Sequence, residues 1–227
     1  MCGRFTLGTD PRSVQDEFDV PEVPEGVIPR YNIAPTQAVL VIRGLPDARR
    51  ECVAMRWGLV PSWAEDLAIG NRMINARAET AAQKPSFRSA MKSRRCLIPA
   101  DGFYEWAKQK GTVKQPYYIH RHDGKPFAFA GLWEKWSKGA EPVLSCTILT
   151  TDANELMLPI HERMPVIVAH GDYGRWLDPQ QKDPAPLLDL LRPARPEGFE
   201  ATMVSRWVND PHHEDPRCRE PVGLPLD

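Results

Sequence analysis

Short apolar or alternating runs, bounded by Gly, Pro and charged residues, recur along the chain and predict β-strands. They cover residues 38–43 (Ala-Val-Leu-Val-Ile-Arg), 52–60, 95–99, 103–107, 116–121, 127–136, 144–151 and 164–169. Helical signals are fewer and shorter. Asp10-Pro11 is an N-cap residue followed by proline at the first helical position, and predicts a helix through about Phe18. Further short helices are expected over 86–93, 153–158, 172–177 and 183–191, the last opened by Asp183-Pro184 and closed before Pro193. No repeat of roughly 20 to 50 residues and no low-complexity linker divides the chain, which predicts one domain over residues 1–227. The fold class expected is α+β, with a curved or barrel-like, mainly antiparallel sheet and short peripheral helices.

Composition narrows this picture. At 227 residues the chain can bury a sizeable core without disulfides. Its 23 prolines, about double ordinary usage, disfavour long helical bundles. With 29 Lys+Arg against 30 Asp+Glu, the formal charge of −1 excludes a uniformly basic nucleic-acid coat and an acidic solvating tail, but leaves local patches open. Five cysteines, Cys2, Cys52, Cys96, Cys146 and Cys218, form no C-x-x-C pair and fit a reduced, intracellular protein. No apolar h-region follows Met1, and apolar runs such as 164–169 and 127–133 fall short of the ~20 residues that cross a bilayer. The expectation is a soluble cytoplasmic protein, nucleoid-associated if bacterial, without a membrane partner.

Three local features carry chemistry. The first is Cys2. Cysteine is small enough for the initiator methionine to be removed, which would leave an amine and a thiol on adjacent carbons. Such a 1,2-aminothiol condenses with an aldehyde to an imine, and the thiol then closes on the imine carbon to give a thiazolidine. At pH 7 an ordinary α-amine is only about 10% neutral and an ordinary thiol only about 3% thiolate. The charge of Arg4, if held nearby, would lower both pKa values. The competing reading is an ordinary buried cysteine.

The second feature is basic. Residues 72–95 hold Arg72, Arg77, Lys84, Arg88, Lys92, Arg94 and Arg95 against the single acid Glu79, a net +6 (seven minus one). Trp57 and Trp63 flank a Gly/Pro turn just before it. Cations for phosphates beside aromatic faces for unpaired bases compose a single-strand nucleic-acid groove. The same residues also suit a solvated helix face and buried core tryptophans.

The third feature is a set of polar residues, Asn75, Glu105 and His161. Glu105 lies in the otherwise apolar run Gly102-Phe103-Tyr104-Glu105-Trp106, where a desolvated carboxylate with a raised pKa is expected. His161 follows Leu158-Pro159-Ile160 at a turn, and histidine passes protons near neutral pH. A solvent-facing glutamate and a structural histidine are the alternatives. His212-His213 with Cys218 match no zinc spacing, so no metal is expected. G-x-S-x-G, P-loop and G-x-G-x-x-G motifs are absent.

Six blocks together resemble one family. They are Met1-Cys2-Gly3-Arg4-Phe5, Tyr31-Asn32-Ile33-Ala34-Pro35, Trp57-Gly58-Leu59-Val60-Pro61-Ser62-Trp63, Asn75-Ala76-Arg77-Ala78-Glu79-Thr80, the run from Cys96 to Trp106, and His161-Glu162-Arg163-Met164-Pro165. In this order they closely resemble the SOS-response-associated peptidase family, whose members shield abasic sites in single-stranded DNA by crosslinking to them. The matching blocks span residues 2 to about 209, leaving 210–227 as a C-terminal tail. Val60 stands where isoleucine or alanine is also familiar, and residues 209–213 are only loosely similar to the family's end.

The resemblance implies a DNA-damage protein whose Cys2 forms a thiazolidine with the ring-opened aldehyde of an abasic deoxyribose, after loss of Met1. It further implies that Asn75 orients the N-terminal residue and the sugar while Glu105 and His161 move protons. Arg4, Arg77 and Arg163 would hold phosphates, and Arg88 belongs to the same basic stretch. Asn32, Pro35, Trp57 and Trp63 would border the unpaired strand. The activity implied is lyase-like crosslinking with autopeptidase removal of Met1, by a monomer that needs no cofactor. A thiol peptidase acting on other proteins and a non-covalent reader of single-stranded DNA are the competing functions.

Overall fold

The computed structural model describes residues 2–108 and 114–223. Met1 and residues 224–227 of the expected tail lie outside the described residues. In chain order the strands and α-helices are β1 (Arg4–Leu7), α1 (Pro11–Phe18), β2 (Arg30–Ile33), β3 (Ala38–Gly44), β4 (Arg50–Trp57), β5 (Asn75–Arg77), α2 (Ala78–Ala81), α3 (Arg88–Ser93), β6 (Arg95–Ala100), β7 (Gly102–Lys108), β8 (Lys114–Arg121), β9 (Phe127–Trp136), β10 (Val143–Asp152), β11 (Arg163–Pro165), β12 (Ile167–Val168), α4 (Tyr173–Leu177) and β13 (Phe199–Met203).

The strands form two sheets. The larger follows the order β11-β10-β4-β3-β6-β9-β12, and β9 also pairs with β10, which closes β10, β4, β3, β6 and β9 into a ring. Closure removes the open edges on which strands aggregate. Its pairings are antiparallel except that β10 runs parallel to β4 and then to β5. The smaller sheet has the order β13-β8-β7-β1-β2 and is antiparallel throughout. The α+β class and the barrel-like, mainly antiparallel sheet expected from the sequence are therefore the architecture observed.

The sheets meet through aromatic side chains. Phe5 of β1 sets its ring edge-on to Trp57 at 5.2 Å and to Phe129 at 5.7 Å, and Phe103 packs edge-on to Phe129 at 5.9 Å. Each such pair adds about 0.5–1.5 kcal/mol beyond its buried area. On the outer face of the small sheet, Tyr104, Tyr118, Val204, Val208 and Cys218 form a second cluster that seats the C-terminal segment. Period-two alternation on β7 accounts for this division: Phe103 joins the main core while Tyr104 joins the outer one.

The first helix forms as expected. Asp10 accepts from the Arg12 and Ser13 N–H groups at 3.0 and 3.1 Å, and the buried Phe18 stacks on Tyr173 at 5.4 Å. Elsewhere the elements differ from expectation. Residues 155–160 are turns rather than helix, held by Asn154, whose side chain accepts from Met157 N–H at 3.0 Å. The segment is too short to offset helix nucleation and contains Pro159. Residues 185–191 wind as a 3₁₀-helix, with Pro184 and Pro186 removing N–H donors at its start. The expected strand 164–169 is two strands, β11 beside β10 and β12 beside β9. Strand β4 stops at Trp57 because Gly58, at φ 126°, turns the chain. A Cβ on Gly58 would lie 2.6 Å from the Gly70 carbonyl oxygen, so the backbones touch there as only glycines allow. No helix among the described residues is long and apolar enough to cross a membrane.

Candidate active site

Cys2 sits just before β1 and is wholly buried. Two other elements converge on it. Asn75, the first residue of β5, donates from Nδ2 to the Cys2 carbonyl at 2.7 Å. Its Oδ1 is buried and has no hydrogen-bond partner among the described residues, an acceptor whose desolvation costs about 1–3 kcal/mol until something donates to it. Glu105 on β7 is 5% exposed, faces the side opposite Tyr104, and its charge acts on Cys2.

Burial first, and the negative charge of Glu105 second, push the Cys2 thiol far above the ordinary range. This corrects the expectation that Arg4 activates Cys2. The Arg4 guanidinium donates to Asn32 Oδ1 at 2.8 Å and to the Val208 carbonyl at 3.0 Å, and lies 6.0 Å from the Trp106 ring centre. Arg4 thus serves the docked C-terminal segment. Asn32, fully buried, does the same: its Nδ2 donates to the carbonyls of Val208, Asp210 and His213.

His161 is reached from the far side of β10. That strand pairs with β5 through Ile148, Leu149 and Thr150, and with β11 through Thr150, Thr151 and Asp152. The Arg163 backbone N–H donates to His161 Nδ1 at 3.0 Å, which leaves the proton of the neutral ring on Nε2. Asn75 and His161 are therefore carried by segments on opposite flanks of one strand.

The residues expected at a DNA strand separate into exposed and structural groups. Arg77 and Arg88 are exposed, as are Arg72, Lys84 and Lys92. Trp63 is 51% exposed. Pro35 is half-buried, and after it Thr36 N–H donates to the Trp57 carbonyl at 2.8 Å. Thr36 itself has φ 74°, an outlier for a β-branched residue. Trp57, by contrast, is wholly buried with Nε1 donating to the Ile74 carbonyl at 2.8 Å, so its ring cannot stack on a base. Arg163 is 9% exposed and both its terminal nitrogens are engaged, by Glu79, Asp152 and the Thr150 carbonyl, while Nε has no partner among the described residues; this corrects its reading as an open phosphate ligand. Within the basic stretch, Arg94 pairs with Glu134 at 2.7 Å and Arg95 is buried. His213 stacks on Trp207 at 3.4 Å and its carbonyl accepts from the Cys218 thiol.

The remaining cysteines are packing residues. Cys52, Cys96, Cys146 and Cys218 are free thiols, buried, and raised by desolvation, Cys52 to about 12. Only thiolate is alkylated, so at pH 8 Cys52, Cys96 and Cys146 should react with iodoacetamide at least about 100-fold more slowly than free cysteine, and Cys218 more slowly than free cysteine. Peptide mass spectrometry of native and urea-denatured protein reads this directly; rapid native labelling at Cys96 or Cys146 would contradict the burial.

This fold, with the cysteine at position 2 bonded through its carbonyl to Asn75 and within reach of the charge of buried Glu105, belongs to a defined class. Residues 1–211 match the profile of the SOS response associated peptidase (SRAP) family, and the chain belongs to that family. Among its relatives, the abasic site processing protein YoqW of Bacillus subtilis is 45% identical over 223 residues, covering 97% of this chain and 99% of that one. The abasic site processing protein YoaM of the same organism is 46% identical over 214 residues, covering 93% and 94%. A crystal structure of a Bacteroides thetaiotaomicron protein superimposes with a TM-score of 0.87 at 27% identity, covering 97% of this chain and all of that one.

Proposed function

We propose that this protein processes abasic sites in single-stranded DNA by covalent capture on Cys2, after removal of Met1. The observation that carries the reading is the convergence of Asn75 and Glu105 on Cys2, in a chain whose relatives are named abasic site processing proteins.

The raised thiol sets the order of steps. A neutral, buried thiol is a poor first nucleophile, so the α-amine of Cys2 attacks the aldehyde carbon of the ring-opened sugar. Loss of water from the carbinolamine gives an imine. Cys2 Sγ then adds to the imine carbon: the S–C bond forms, the C=N π pair moves to nitrogen, and Glu105 relays the thiol proton to that nitrogen. Aldehyde plus aminothiol becomes thiazolidine plus water, with no change of oxidation state. Asn75 fixes the Cys2 carbonyl, and its open Oδ1 accepts from the amine or a sugar hydroxyl. His161, with Nδ1 occupied, uses Nε2 for proton transfer during sugar ring opening. Arg77 and Arg88 hold phosphates, and Trp63 offers a stacking face worth about 1–3 kcal/mol per base.

A thiol peptidase acting on other proteins needs the reverse environment, a thiolate stabilised by a nearby cation. Purified protein incubated with single-stranded DNA holding one abasic site should give a heat-stable band on a denaturing gel. A chain with an uncleavable N-terminal extension should give none, because its Cys2 nitrogen is an amide. A normal band from the extended chain would sink the reading, and salt-sensitive binding without any adduct would favour the non-covalent reader.

A further inference from the structure

Glu79 has no place in the chemistry above, yet it is half of the most extensive ion-pair arrangement around the site. Arg163 Nη1 donates to Glu79 Oε1 at 2.6 Å and Nη2 to Glu79 Oε2 at 2.9 Å, a bidentate fork. The same guanidinium donates to Asp152 Oδ1 at 2.7 Å and to the Thr150 carbonyl at 2.7 Å. The pair joins residues 84 apart in sequence. Glu79 lies in the first turn of α2, which follows β5 directly, so it travels with Asn75. Arg163 opens β11, and its own N–H holds His161 Nδ1.

We propose that Glu79 is a positioning residue: its grip on Arg163 locks the strand carrying Asn75 to the turn carrying His161, across β10. The side chain of Arg163 is 11% exposed, so the fork is shielded from solvent on the arginine side, whereas Asp152 is 82% exposed and contributes little. The hydrogen bonds to Arg163 hold the Glu79 carboxyl below its ordinary range, and those to Glu79 hold Arg163 above its own, as a persistent pair requires. A fork of this kind fixes angle as well as distance. Besides it, the two flanks of β10 are tied through their separate pairings with that strand and through the shared apolar core.

The alternative is that Glu79 is a counter-ion that merely occupies Arg163 until a DNA phosphate displaces it. The two roles predict opposite signs. As a positioning residue, Glu79→Ala should slow adduct formation at saturating abasic single-stranded DNA by about 10- to 100-fold, with affinity for an undamaged strand changed less than about twofold. Glu162→Gln, which removes a neighbouring exposed charge outside the fork, should change neither. As a counter-ion, Glu79→Ala should bind undamaged strand more tightly, steepen the salt dependence by about 0.7 for each phosphate newly bound, and leave the saturated rate unchanged or faster; that result overturns the proposal. Thermal unfolding confirms that the variant is folded, and Glu79→Gln, which keeps the side-chain volume, substitutes if Glu79→Ala is not. The rate comparison rests on the capture reaction, so a second readout stands apart from it. Amide hydrogen exchange at Arg163, whose N–H holds His161, should speed by about 10-fold or more in Glu79→Ala and stay unchanged in Glu162→Gln. A wild-type chain that forms no adduct removes the capture reading while exchange still decides the fork, and exchange unaltered by Glu79→Ala overturns the proposal.

Discussion

Cys2→Ser should still form an imine with abasic single-stranded DNA and should form essentially no heat-stable adduct. Serine leaves the α-amine, so the aldehyde is captured reversibly. The second ring-closing bond is what changes. An oxygen nucleophile at this position would close to an oxazolidine, which reopens in water, whereas sulfur gives a persistent thiazolidine. The variant should fold, because serine is slightly smaller than cysteine and its hydroxyl can donate to the Arg4 carbonyl, which the Cys2 thiol already approaches at 3.9 Å. A buried hydroxyl with a partner costs about 1 kcal/mol or less. On a denaturing gel the heat-stable band should fall by at least about 100-fold, the scale of loss when a covalent nucleophile is removed. Borohydride added during incubation should restore a band by reducing the imine to a secondary amine. An undiminished heat-stable band without borohydride would show that the thiol is not the closing group. No band even with borohydride would place the amine outside the reaction.

Arg95→Met should destabilise the fold by about 3–5 kcal/mol, more than any surface substitution. Arg95 is 3% exposed, and its guanidinium meets no carboxylate among the described residues. It donates instead to four backbone carbonyls: Met91 and Lys92 at 2.9 Å each, Trp176 at 2.8 Å, and Asp178. The first two belong to the last turn of α3, the other two to the end of α4, so one side chain caps both helices where their carbonyls would otherwise be orphaned. Desolvation lowers its pKa. Methionine fills similar volume but leaves those carbonyls with no donor. Urea unfolding should show the midpoint displaced with the slope retained; a loss below about 1 kcal/mol would mean that water replaces the guanidinium at little cost.

Arg95 also shows where sequence reading stops. In the stretch of residues 72–95, Arg88 and Arg95 look alike, yet one is exposed on α3 and the other is sealed between two helix ends. Trp57 and Trp63 flank the same turn, and of the two Trp63 alone keeps an exposed ring. In each pair the deciding contacts come from segments distant in sequence, which a local pattern does not contain. Strands β1, β2, β5 and β13 escaped prediction because three to five residues are too few to establish a period of two. By contrast β9, ten residues long, lies over residues 127–136 as expected. Within the site, the placement of Glu105 was open to reading, since alternation along β7 puts it on the face of Phe103. Glu79 lies inside the motif at residues 75–80, but nothing in that motif marks its partner 84 residues away.

What the sequence determined by itself is local: strand and turn identity where the apolar period is long enough, the Asp10 cap, and a cysteine at position 2 able to become an aminothiol. The tertiary structure decided the electrostatics. It buried Cys2 against Glu105, so the thiol is raised rather than activated. It turned Arg4 toward Asn32 and the C-terminal segment, and it spent Arg163 on Glu79 and Asp152. The reason is physical. Secondary structure follows from short-range periodicity, whereas the state of a charge depends on which distant groups share its low-dielectric surroundings.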